Sequence, residues 1–285
     1  MRLGSHMSIA GGLYKALERG HDLACETIQI FTKNASRWKA KGLILSDAEK
    51  FKRVMIKTGI KPVVAHDSYL INLASPDQGT CKKSIEALKD ELDRADLLEI
   101  PYLVIHPGSH VGQGEKEGLL RISAALNQIH LDLPDNRVRI LLETTAGQGT
   151  NLGHRFEHLA LLMNMARQKE RLGICLDTCH IFAAGYDIRT KQTYDETMDK
   201  FDQTIGLENL FVIHLNDSKK KLGSQIDRHE HIGRGFIGKE GFELILNDPR
   251  LAHLPGILET PKEKDLDGVD MDVINLKVLS ELRPH

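Results

Sequence analysis

Eight short runs rich in β-branched and aliphatic residues alternate along the chain with longer segments of helical period, and this repetition limits the possible fold more than any other feature. The runs lie at Arg2 to His6, Thr27 to Thr32, Pro62 to His66, Tyr102 to His106, Arg139 to Thr144, Gly173 to Asp177, Phe211 to Asn216 and Gly256 to Thr260. Between them, helical spacing predicts helices such as Ser46 to Lys57, Cys81 to Leu98, Glu115 to His130, His154 to Gln168, Thr193 to Thr204, Glu240 to Leu246 and Asp270 to Leu282. Eight strand–helix units in about 250 residues are what a (β/α)8 TIM barrel of the α/β class requires. An open doubly wound sheet more often shows fewer strands and a Gly-rich first turn, and no G-x-G-x-x-G follows the first strand here. No proline-rich or low-complexity linker divides the chain, so residues 1–285 are expected to form one barrel domain. One connection, Leu215 to Gly238, runs about 24 residues with little periodicity, a length that in compact domains usually belongs to a functional loop.

In such a barrel the chemistry sits at the carboxyl ends of the strands. Here those ends are His6, His66, His106, Glu143, Asp177 followed by His180, His214 and Glu259; only the second strand ends differently, in Thr32 and Lys33. Side chains two apart on a strand face the same side, so Glu143 continues the face of Leu141, Asp177 that of Cys175, His214 that of Val212 and Glu259 that of Ile257. A single histidine of this kind is commonly a hydrogen-bonded structural residue. Six or seven imidazoles and carboxylates converging on one rim need partners when buried, and divalent cations supply them. The long connection adds Asp227-Arg228-His229-Glu230-His231, in which Asp227 with His229, or His229 with His231, are spaced to chelate an ion. Cysteine is scarce, so nitrogen and oxygen donors dominate and favour Zn²⁺ or Mn²⁺; Cys179, beside Asp177, reads as a small buried residue rather than a ligand.

Bulk properties narrow the partners. With 38 Lys+Arg against 40 Asp+Glu the formal net charge is −2, so any nucleic acid must be held by local charge. Four cysteines make no disulfide framework, and no stretch reaches the roughly 18 apolar residues of a membrane span, which leaves a cytoplasmic, membrane-free setting as the expectation.

Several stretches resemble endonuclease IV, the metal-dependent apurinic/apyrimidinic endonuclease family. They are Gly4-Ser5-His6-Met7-Ser8 with Gly11-Gly12, Phe31-Thr32-Lys33-Asn34, His66-Asp67-Ser68-Tyr69-Leu70-Ile71-Asn72-Leu73, His106-Pro107-Gly108-Ser109-His110, and Glu143-Thr144-Thr145-Ala146-Gly147-Gln148-Gly149. Further along come Asp177-Thr178-Cys179-His180, Phe182-Ala183-Ala184-Gly185-Tyr186-Asp187, His214-Leu215-Asn216-Asp217, Asp227-Arg228-His229 and Leu258-Glu259-Thr260. The resemblance implies a DNA repair enzyme that hydrolyses the phosphodiester 5′ to an abasic site in duplex DNA, leaving a 3′ hydroxyl and a 5′-deoxyribose phosphate. It implies three zinc ions, with Mn²⁺ a conceivable substitute. His66, His106 and Glu143 would hold one; Glu143 would bridge to a second held by Asp177, His214 and Glu259; His180, Asp227 and His229 would hold the third. Glu143 and Glu259 would be the catalytic carboxylates, Glu259 also orienting the attacking water. Arg37, Tyr69 and Leu70 would insert at the lesion, and His6 and His110 would stand behind the ligands or face phosphate. Arg234 occupies a glycine-flanked turn where the family leads one to expect an acidic residue.

Three Zn²⁺ would turn the formal −2 into +4 at the rim. Lys33, Arg37, Lys39 and Lys41 after the second strand, with Lys219, Lys220, Lys221, Arg228 and Arg234 in the long connection, are the local cations for a phosphate backbone. Trp38 either anchors its loop or touches DNA. A sugar isomerase or epimerase on the same barrel, or a protein that binds damage without cutting it, are the competing readings; the third ligand set and basic flanks argue against the first, and the intact metal ligands against the second. A monomer with no obligate protein partner is expected.

Overall fold

The structure, a computed structural model, describes residues 1–39 and 41–283. Eight parallel strands close on themselves: β1 (Arg2–His6), β2 (Thr27–Phe31), β3 (Val63–His66), β4 (Tyr102–Ile105), β5 (Arg139–Glu143), β6 (Leu172–Asp177), β7 (Leu210–His214) and β8 (Pro255–Leu258). Each pairs with its sequence neighbours, and β8 pairs with β1 to seal the barrel. All eight lie within a residue or two of the runs read from sequence, because strands buried on both faces of a parallel sheet leave near-continuous apolar runs.

Inside the barrel, Val64, Val104, Leu141, Cys175, Val212 and Ile257 form a small closed layer, all fully buried. Two residues on along each strand stand His66, His106, Glu143, Asp177, His214 and Glu259. The six therefore rest on an apolar plug and point to the carboxyl-end mouth. Register sets Asp177 opposite His214, whereas His66 pairs with Val104 and Glu143 with Cys175, the stagger that closing a barrel imposes.

Outside, α1 (Leu13–Asp22), α2 (Leu45–Thr58), α3 (Gln78–Leu97), α4 (Glu115–Asp132), α5 (Phe156–Met165), α6 (Thr178–Ala184), α7 (Lys191–Thr204), α8 (Gly238–Leu246) and α9 (Met271–Glu281) cover the sheet. Phe51, Phe156, Phe201 and Phe242 are fully buried in the layer between helices and strands. Two helices fall outside those read from sequence. α1 follows Gly11-Gly12, which carry positive φ angles of 85° and 126°. α6 is only seven residues long and starts directly from the strand end, where the Asp177 carboxylate accepts from the His180 N–H (2.8 Å). That cap folds His180 back over the rim. None of the helices among the described residues is long and apolar enough to cross a membrane.

Candidate metal centre

Four strand ends converge on one carboxylate. Glu143 is completely buried, its Oε2 lying 3.1 Å from both His66 Nε2 and His106 Nε2, and its Oε1 3.0 Å from His214 Nδ1 and 3.3 Å from His180 Nδ1. Glu259 Oε2 approaches His214 Nδ1 at 3.2 Å. Around the corner, Asp227 Oδ2 is 3.1 Å from His180 Nε2 and Asp227 Oδ1 3.4 Å from His229 Nε2. Beside one group that includes a thiol, Asp177, Cys179 and His229, donor atoms within 4.8 Å of one another form three all-nitrogen-and-oxygen sets: His66, His106 and Glu143; Glu143, Asp177, His214 and Glu259; and His180, Asp227 and His229. These are the nine residues singled out from sequence, in the same grouping.

Hydrogen bonds orient the rings. His66 Nδ1–H donates to the Asp67 carbonyl (3.0 Å), His180 Nδ1–H to that of Thr144 (2.8 Å) and His229 Nδ1–H to that of Glu259 (3.2 Å). His214 Nε2–H donates to the Gln29 side-chain oxygen (2.8 Å). A carbonyl oxygen can only accept, so each bond fixes one tautomer and turns the opposite nitrogen lone pair into the cluster. For His180 and His229 this brings two Nε2 atoms to 3.4 Å with no proton left for either in the neutral ring. Either an extra proton or a cation must lie among them. A site of neutral imidazoles and ionised carboxylates fits a borderline divalent cation such as zinc.

Burial disfavours every charge here, and the groups resolve it by polarising one another. Burial alone would lower His66, but its bond to Glu143 and the neighbouring carboxylates outweigh that and raise it to about 10. His180 and His214 are likewise raised against their burial, by carboxylates around them. Glu143 and Glu259 are held well below the usual carboxylate range by the facing imidazoles, also against burial, and Asp227 falls to about 2.

Two supporting residues escaped the sequence reading. Gln29, flanked by Ile28 and Ile30 and completely buried, donates to Glu259 (2.5 Å) while accepting from His214, and its Nε2 lies 3.1 Å from His6 Nδ1. Its one signal was an amide within an apolar strand. Asn216 donates to Asp177 Oδ2 (2.7 Å) and accepts from the Glu259 N–H (2.8 Å), tying two strand ends together. His6 Nδ1 stands 3.7 Å from Glu259 Oε1. His110 lies apart from the three sets, its Nδ1 accepting from the Gly114 N–H (3.0 Å) in the loop after β4.

Six of the nine donors, His66, His106, His180, Asp227, His229 and Glu259, line a cleft of about 430 Å³ whose walls include Phe31, Tyr69 and Arg228, while Glu143, Asp177 and His214 are completely buried. Tyr69 is 73% exposed and Leu70 half-buried, whereas the next apolar residues, Ile71 and Leu73, are core. Arg37 is exposed on the loop after β2, which Ser68 fastens to the Tyr69 loop by donating to the Ala35 carbonyl (2.5 Å). Two other residues differ from expectation. Lys33 is no free cation: its Nζ is buried against Asp90 (2.7 Å) and Glu91 (3.4 Å) of α3. His231 turns away from His229 and is buried between Glu263 (2.9 Å) and Asn275 (3.0 Å), which excludes the His229–His231 pair. Trp38 is half-buried against the core, which supports the anchoring role. Cys179 has its Sγ near Asp177 and His229, directed at the Arg228 carbonyl (3.6 Å).

Residues 17–278 match the family described as xylose isomerase-like TIM barrel, which defines the class: a closed parallel barrel with its site on the carboxyl rim. Within that class, the chain is 52% identical over 281 residues to a protein of Chloroflexus aggregans named "Probable endonuclease 4", covering 99% of this chain and 97% of that one. The crystal structure of endonuclease IV from Thermus thermophilus superposes with a TM-score of 0.87 at 36% identity, covering 99% and 98%. The chain belongs to the endonuclease IV family. A D-tagatose 3-epimerase-like protein also superposes, with a TM-score of 0.75 over 99% and 97% of the chains, but at 19% identity this shows the shared barrel alone.

Proposed function

We propose that this chain is a DNA repair enzyme that hydrolyses the phosphodiester on the 5′ side of an abasic site in duplex DNA, leaving a 3′ hydroxyl and a 5′-deoxyribose phosphate. The observation that carries the reading is the sharing of Glu143 between two of three converging donor sets in a chain of this family. Zinc ions on the three sets would supply charge neutralisation and an acidified water, which a phosphodiester needs because it repels hydroxide. The chain's own residues do the rest. Glu143 joins two sets, one carboxylate oxygen toward each, Gln29 fixes the tautomer of His214, and Asn216 keeps Asp177 and Glu259 in step. Glu259, with one oxygen on Gln29 and the other toward His214, orients the attacking water. Arg37, Tyr69 and Leu70, on two fastened loops above the cleft, engage the lesion, while Arg228 adds charge at the wall. The enzyme acts as a cytoplasmic monomer without an obligate protein partner.

The test joins composition to reaction. Purified protein should carry close to three zinc ions per chain and nick an abasic duplex to a 3′ hydroxyl, with no adduct trapped by borohydride. One tightly bound ion with no gain on adding zinc, a borohydride-trapped lysine, or sugar epimerisation without nicking would refute the reading.

A further inference from the structure

We propose that Asp217, outside all three donor sets, is the positioning residue that builds the third one, by acting as the folding centre of the loop that carries Asp227 and His229. The proposal rests on the zinc reading above for its consequence, and on hydrogen bonding alone for its structural part.

Asp217 follows β7 by three residues and is completely buried. Its Oδ1 accepts from the N–H groups of Ser218 (2.7 Å) and Ile237 (2.9 Å), and its Oδ2 from those of Gly233 (3.0 Å), Gly235 (3.0 Å) and Gly238 (3.4 Å). Five backbone donors on one carboxylate leave it no free acceptor site, and four of them come from the far end of the long connection. The wrapping is close. A Cβ on Gly235 would stand 2.4 Å from the Ser218 carbonyl oxygen and 2.5 Å from Asp217 Oδ1, so only glycine admits this approach.

That carboxylate is linked directly to the ligands. Asp217 and Ser218 form an antiparallel ribbon with His229 and Glu230, Ser218 standing opposite His229, and the Lys219 N–H donates to the Arg228 carbonyl (2.9 Å). The Phe236 N–H donates to the Ser218 carbonyl (2.8 Å), which closes the loop on the same two residues. On its other side His231 is held by Glu263 and Asn275, so His229 sits between two fixed neighbours. His66, His106 and Glu143, in contrast, come from strand ends that need no such support. The third set is the one whose ligands a loop must deliver, and Asp217 is where that loop converges.

Asp217→Ala strips all five donors of their partner, Asp217→Asn keeps one acceptor oxygen, and Gly235→Ala opposes the same contact from the loop side. In metal-stripped protein, amide exchange across residues 219–238 should speed up at least about tenfold in Asp217→Ala and Gly235→Ala, less in Asp217→Asn, with β3 to β5 as protected as in the parent. At equal free zinc, Asp217→Ala should hold one ion fewer than the parent. It should regain that ion only at about 10- to 100-fold higher zinc, with kcat recovering in step. Exchange in 219–238 unchanged in both Asp217→Ala and Gly235→Ala, or protection lost evenly over the whole chain in Asp217→Asn, would overturn the proposal. If the parent protein itself binds fewer than three ions the zinc reading fails, and the exchange pattern still decides what Asp217 does.

Discussion

Replacing Tyr69 and Leu70 together with alanine separates recognition of the lesion from the integrity of the fold. Tyr69 is 73% exposed, so about a quarter of its surface is removed from water; at roughly 25 cal/mol per Å² on a side chain of about 200 Å², that is about 1 kcal/mol. Its edge contact with Phe31, at 5.4 Å between ring centroids, falls within that figure. Half-buried Leu70 contributes about another 1 kcal/mol. The double variant should therefore lose no more than about 2 kcal/mol of stability and keep its zinc, since neither side chain belongs to a donor set. Binding should respond differently. A missing base leaves a gap that an aromatic and an aliphatic side chain can fill where the cost of unstacking is lowest, and such contacts are worth about 1–3 kcal/mol. Affinity for a duplex with a stable abasic analogue and a slowly cleaved sulfur-substituted linkage should fall about 10- to 100-fold. Affinity for the undamaged duplex, set by phosphate contacts, should change by less than about threefold with the same salt dependence. Fluorescence anisotropy on both duplexes, with urea unfolding and elemental analysis alongside, measures all three. Equal losses on both duplexes, or lost zinc and stability with discrimination intact, would show that the wedge lies elsewhere.

Other perturbations follow from the same geometry. Glu143→Gln, at the residue shared by two sets, should cost two zinc ions per chain and nearly all cleavage, whereas His229→Ala should cost one; elemental analysis of the pair checks this, and an unaltered metal content in Glu143→Gln would remove the bridge. His130 in α4 is buried with no partner for either ring nitrogen among the described residues, and burial followed by the Arg171 charge lowers its pKa to about 4. The unfolded chain then binds the proton first as pH falls, so the stability its neutral form contributes is complete above about pH 6.5 and is lost between there and about pH 4. By urea unfolding of metal-stripped protein, His130→Leu should lose about 1 kcal/mol less than the parent between about pH 7.5 and 5.5; parallel slopes would refute it. Lys33→Met should destabilise by about 3–5 kcal/mol by stranding buried Glu91, which no surface lysine would do.

Six of the nine donors were legible because a strand is a local device. Period-2 alternation places His66, His106, Glu143, Asp177, His214 and Glu259 two residues beyond an apolar layer, and nothing distant needs to be known to say that they point inward together. The barrel followed from the same repetition. The family motifs, matched in order along nearly the whole chain, supplied the grouping into three sets.

Loops and buried polar partners were decided only by the tertiary structure. His229 and His231 are equivalent in sequence, and what turns one to the cleft and the other to Asn275 is the ribbon with Asp217 and Ser218 together with the packing of α9. Lys33 reads as a free cation until α3 places Asp90 and Glu91 over its ammonium, since a pairing across nearly sixty residues leaves no local trace. Gln29 sits in a strand that reads as uniformly apolar, and only closure of β1 and β8 beside it brings His214, Glu259 and His6 to its amide. Alternation and propensity act between near neighbours, whereas the partner of a buried polar group is set by chain closure, and that is where sequence and structure part.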